Sequence, residues 1–147
     1  MDSLKDVEFL GALAGKARVA IMVDAVQEVF ETRLITRLPG CPDFVAGMIN
    51  MRGSVIPVLN PWTLSMEAHA VKKIVVLKTA EGPVGLLITR LMDLIKFPDF
   101  AGIEKLPAEL SATADAFDAQ ARADETYYLF NVEKYIADTL SPLARKA

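Results

Sequence analysis

The sequence predicts a mostly β domain built from two similar halves and finished by one helix. Three observations predict it. Short β-branched and aliphatic runs recur along the chain, separated by Gly, Pro and polar clusters, which is the spacing of barrels and sandwiches. The segment Val19–Phe30 aligns without gaps to Val84–Ile95. Each copy holds a strand, a capping-type residue (Asp24 or Thr89), an apolar residue (Val26 or Leu91), an acid (Glu28 or Asp93) and two further apolar residues. One stretch, near the C-terminus, carries a clear helical period.

Size and composition agree with one domain. The chain has 147 residues, 52% hydrophobic and 24% charged, enough to form a core. A net charge of -3 gives no reason to expect nucleic acid, whose binders carry a basic face. Cys41 is the sole cysteine, so no internal disulfide can form and a reducing compartment is expected. His69 is the sole histidine, and no zinc-ligand spacing accompanies it. The runs Ile74–Leu77 and Val84–Ile88 are strand-sized, far short of the roughly 20 residues a membrane helix needs. Asp2, Asp6 and Glu8 break the layout of a signal peptide. The expectation is a cytoplasmic protein with no membrane insertion.

Strands are expected near Glu8–Ala14, Arg18–Val23, Phe30–Arg37, Ala46–Met51, Ser54–Leu59, Lys72–Thr79, Pro83–Ile88, Asp93–Phe97, Phe117–Arg122 and Thr126–Phe130. Gly15-Lys16 and Glu81-Gly82 supply hairpin turn chemistry. Asp24 with Gln27 fits a variant capping box, so a short helical turn is expected after the second strand. Pro107 and the polar, acid-rich run between Asp99 and Glu125 read as a long connection, either solvated or an acidic patch for a basic partner. Asn131 is a good N-cap for the final helix. Val132, Tyr135, Ile136, Thr139, Leu140 and Leu143 share one face, and Ser141-Pro142 ends it.

The most informative stretch runs from Leu38 to Asn60. Two apolar strands meet at Arg52-Gly53, and a lone cation between strands that look buried needs a partner. Glu28 is the candidate, as an Arg–carboxylate pair that either shapes a binding surface or serves structure alone, the alternative being two unrelated surface charges. Gly47 and Gly53 suggest close backbone approach or positive φ. Cys41 reads as an inert thiol and His69 as an ordinary loop residue. Trp62 is expected to pack across the base of the first half. The P-loop, dinucleotide-binding, nucleophile-elbow and H-E-x-x-H motifs are missing, and no spaced carboxylate pair suggests acid/base work. The expectation is no enzyme, no cofactor and no metal.

Leu38-Pro39-Gly40, Pro42, the Gly47–Gly53 run and Pro57-Val58-Leu59 together resemble the signature of the CheW-like domain, the adaptor fold of bacterial chemosensory systems. Asp24–Val29, Val84-Gly85 and Leu129–Lys134 extend the resemblance from about Glu8 to Leu140. It implies two side-by-side five-stranded SH3-like β-barrel subdomains with a hydrophobic groove between them. A single domain over 1–147 would then hold a first barrel at about 8–65, a second at 66–131 and a packing helix at 131–141.

The resemblance implies a non-catalytic adaptor. Its partners would be the regulatory domain of a CheA-type histidine kinase and the cytoplasmic tip of chemoreceptors. It carries Glu28 and Arg52 over as partner-binding positions and places Val26, Val29, Ile49 and Val55 on the first barrel's apolar face. Exposed barrel ends would also allow self-association. Asn60 departs from the family's usual Asp, and Thr89 stands where Asp is common. The alternative is a β-barrel module that binds a small ligand or a partner outside chemotaxis, with Asn50, Arg52 and Asn60 as its few polar groups.

Overall fold

A computed structural model describes residues 6–31, 35–62, 64 and 73–140. The strands in chain order are β1 (Phe9–Ala14), β2 (Ala17–Met22), β3 (Val26–Glu31), β4 (Val45–Met51), β5 (Ser54–Leu59), β6 (Lys73–Leu77), β7 (Val84–Ile88), β8 (Arg90–Ile95), β9 (Phe100–Ala101), β10 (Phe117–Arg122) and β11 (Thr126–Phe130). Helix α1 (Val132–Tyr135) runs into a π-helical turn, Ile136–Leu140.

Two sheets result. One has six strands in the order β8-β1-β2-β11-β10-β9, the other five in the order β3-β6-β7-β5-β4. The mostly β expectation holds. Neither sheet closes through its strands into the expected five-stranded barrel. The five-stranded sheet comes nearer, because Thr36 bridges Met48 on the far edge through two backbone bonds of 2.8 Å.

The repeat is real at the level of topology. β1 to β5 correspond in sheet position to β6, β7, β8, β10 and β11, and each sheet has a parallel pair at its centre, β2 with β11 and β5 with β7. The expected split at residue 65 separates the repeat copies but not the sheets. β3 leaves the first copy's β1–β2 pair to edge the five-stranded sheet, and β8 makes the reciprocal crossing. The physical reason is the tight link in each copy, which turns the chain away from its own hairpin.

Alternation along the strands divides the core in three. Phe9, Ala20, Phe97, Ala119, Ala121, Tyr127 and Leu129 cluster within the six-stranded sheet. Ile49, Ile56, Val58, Ile74, Val76 and Leu87 cluster within the other. The opposite faces of both sheets share a third cluster that includes Val19, Ile21, Val75, Leu77, Leu86, Phe130 and Trp62. Strands buried on both faces read as unbroken apolar runs, which is why β7 is buried at every position. Trp62 belongs to this shared core, donating Nε1–H to the Leu87 carbonyl at 2.6 Å, and so packs between the sheets rather than across the base of one half.

Other expectations shift locally. The strand expected at Phe30–Arg37 is β3, which starts at Val26, because its half-exposed alternation matches β6. The strand expected at Asp93–Phe97 is β8, and Phe97 turns inward against Phe9, Phe100 and Tyr127. A 3₁₀ turn, Val23–Ala25, follows β2, but Met22 is its N-cap and no side chain caps it, so the Asp24 capping box is absent. Thr89 instead accepts from the Gly15 amide at 2.8 Å, clamping the first hairpin turn. The long connection holds β9 and a 3₁₀ segment, Ala108–Ala116, broken at Thr113. Asn131 caps α1 as expected, accepting from the Lys134 amide, and also donates to Asp118. Val132, Tyr135 and Ile136 are buried. His69, the Ser65–Ala70 connection, Ser141-Pro142 and Leu143 lie outside the described residues.

Candidate functional site

The site begins in the turn between β4 and β5. Met51 pairs with Ser54, so Arg52 and Gly53 alone make the turn, and both have positive φ, 53° and 86°. That is the two-residue type I′ hairpin, whose twist suits the flanking strands. Glycine takes such a conformation freely. For Arg52, the lone non-glycine residue with positive φ among the described residues, it costs about 1 kcal/mol. The Asn50 side chain accepts from the Gly53 amide at 2.9 Å, satisfying a donor the turn would leave to solvent.

From this turn the Arg52 guanidinium reaches Glu28 on β3 with both forks, Nη1 to Oε2 at 2.7 Å and Nη2 to Oε1 at 2.6 Å. The two hydrogen bonds and then the charge of Glu28 hold the guanidinium above its ordinary pKa. The sequence pointed to a cation between buried strands. The structure corrects this, since the Arg52 side chain is 71% exposed and Glu28's is 25% exposed. The turn lifts the charge into water, so no desolvation problem arises. A register shift in β3 between Val26 and Glu28 accompanies the pair. Lys73 on β6 makes a second, neighbouring bridge to Glu31 at 2.8 Å, and that contact lowers the Glu31 pKa.

The pair lies at a recess of about 580 Å³ lined by Glu28, Phe30, Thr36, Ile49, Asn50, Met51, Arg52 and Ile74. Gly47 helps to shape it. At φ 149°, its missing Cβ would sit 2.3 Å from the Thr36 carbonyl oxygen, so the bridge between Thr36 and β4 requires glycine here.

The six residues expected at this site fall in three places. Glu28, Arg52 and Ile49 meet at the recess. Val26 packs toward the core shared by the sheets. Val29 and Val55 are exposed, 37% and 61%, on the outer side of their strands. Ile49, 7% exposed, is a core residue and not part of that outer surface. Asn50, Thr36, Phe30 and Ile74 join the pair at the recess without being expected there from the sequence. Only Asn50 left a signal, a short amide just ahead of an Arg-Gly turn.

A second, smaller hollow of about 180 Å³ lies where the sheets meet. Phe9, Ile21, Met22, Lys78, Phe130 and Glu133 are among its lining residues. Among the described residues no three His, Cys, Asp or Glu side chains gather as a metal site, and no helix is long and apolar enough to cross a membrane.

Comparison with known proteins agrees with this architecture. The chain is similar to the chemotaxis protein CheW of Thermotoga maritima, 33% identical over 101 residues that span 67% of each chain. It is also similar to the chemotaxis protein CheW of Helicobacter pylori, 26% identical over 114 residues, 75% of this chain and 68% of that one. The crystal structure of the scaffolding protein TtCheW from Thermoanaerobacter tengcongensis matches with a TM-score of 0.73 at 16% identity, over 86% of this chain and 85% of that one, a likeness of fold. The family model for the CheW-like domain matches residues 8–139, and with the paired sheets and the Gly47–Gly53 hairpin in place, the chain belongs to the CheW-like domain family.

Proposed function

We propose that this chain is a non-catalytic adaptor of a bacterial chemosensory complex, linking the cytoplasmic tips of chemoreceptors to the regulatory domain of a CheA-type histidine kinase. The named relatives support a chemotaxis coupling role. The observation that carries the site is the bidentate Arg52–Glu28 pair, set at the β4–β5 turn beside a recess, with Val29 and Val55 exposed on the outer side of their strands.

The chemistry required is selective contact. The Arg52 fork and the Glu28 carboxylate give orientation, and the valines give apolar area. The hollow between the sheets receives an apolar face of a receptor helix. Coupling then arises because the adaptor binds two arrangements of its partners with different affinity.

The test is a calorimetric titration with the kinase regulatory domain. Arg52→Ala and Glu28→Ala are expected to weaken binding about tenfold or more, while a solvent-screened ion pair adds little to stability, so the fold survives. Full-strength binding by both variants, or loss of fold in both, counts against the reading. The recess itself favours a second reading, a small apolar ligand oriented by Asn50 and Thr36. Thermal shift against a metabolite panel separates the two, since a ligand raises the melting temperature in the absence of any protein partner.

A further inference from the structure

We infer that Asn50 is the positioning residue of the Arg52–Glu28 pair, acting through the turn and not by touching either charge. The inference rests on reading that pair as a partner-binding element.

Three observations carry it. Arg52 holds φ 53°, a conformation that only glycine adopts without penalty, so the turn needs support from outside its own two residues. The Asn50 side chain supplies it, with Oδ1 accepting from the Gly53 amide at 2.9 Å. The guanidinium is largely exposed yet meets Glu28 with two short bonds of 2.6 and 2.7 Å. An exposed pair of long side chains ordinarily loses its geometry to side-chain freedom. A left-handed backbone locked at Gly53 removes part of that freedom, because it fixes the direction in which the Arg52 Cβ leaves the hairpin. Asn50, Arg52 and Glu28 all line the recess, so the lock lies on the same surface as the pair it aims.

The deciding measurement is made on the free protein. Side-chain nitrogen spectra of Arg52 are recorded in wild type, Asn50→Ala and Asn50→Asp. Asp keeps an acceptor at the same reach and Ala does not. Slowed exchange of the guanidinium protons, present in wild type, is expected to vanish in Asn50→Ala and return in Asn50→Asp. Titration with the kinase regulatory domain follows. Asn50→Ala is expected to lose about 2- to 10-fold in affinity, the range of one net hydrogen bond, and to lose nothing further when Arg52 is already Ala. Freely exchanging Arg52 protons in wild type, slowed exchange that persists in Asn50→Ala, or a loss of affinity that simply adds to that of Arg52→Ala would each overturn the inference. The functional reading fails separately, if Arg52→Ala binds as tightly as wild type. The spectra still decide the role of Asn50 in that case.

Discussion

Asn60 is buried, 4% exposed, and its amide does what a carboxylate cannot. Nδ2 donates to the Leu64 carbonyl at 2.9 Å, and Oδ1 accepts from the Leu64 amide at 2.8 Å. Asn60→Asp keeps the acceptor, removes the donor and leaves a buried charge facing a carbonyl. The expected loss is about 1–3 kcal/mol in urea unfolding at neutral pH, shrinking on acidification as the carboxyl gains a proton to donate. Equal stability at neutral pH would refute it. Tyr127 titrates in the same sense at higher pH. Burial, then the nearby charge of Asp124, push its phenol above the ordinary range, against a smaller opposing effect of Arg18. The unfolded chain therefore ionises this phenol first. Its contribution is fully present below about pH 10 and is lost as pH rises through the folded-state value. Tyr127→Phe should lose less stability than wild type between about pH 9 and 11, and parallel curves would refute this.

At the scale of elements, the hairpin of β4 and β5 depends on its close approach to Thr36. Gly47→Ala would place a Cβ 2.3 Å from the Thr36 carbonyl oxygen, so the bridge to Met48 must open. The expected destabilisation is about 2–4 kcal/mol, with faster amide exchange at Thr36 and Met48, and unchanged exchange there would contradict it. Much at this scale is legible in the sequence. β5, β10 and β11 have the bounds their turn residues and alternation predict. The bounds of β3 are not legible in the sequence, because its polar alternation resembles a surface turn and its pairing with β6 lies far along the chain. β9, two residues long, leaves no periodic signal at all. The Glu28–Arg52 contact could be anticipated from an isolated cation and the acid of the repeat. The role of Asn50 is signalled only by a short amide ahead of an Arg-Gly turn, because it depends on the φ of both Arg52 and Gly53.

The whole molecule depends on interleaving. A cut near residue 65 separates the repeat copies, yet each fragment carries strands that belong to both sheets. Neither fragment holds a complete sheet, and the shared cluster of Val19, Val75, Leu86 and Phe130 draws on both. Fragments 1–65 and 66–147 are expected to be unfolded alone and to regain the β circular-dichroism signal when mixed. Independent folding of either would refute this. The crossings of β3 and β8 have an ancestral reading as well. A chain encoding a single copy would complete its sheets only by pairing its first two strands with the later strands of a twin, so the present protein has the geometry of a strand-exchanged homodimer fused into one polypeptide. Fusion frees the two copies to diverge. That is why an arginine clasp can mark the five-stranded sheet while a cluster of phenylalanines packs on the six-stranded one.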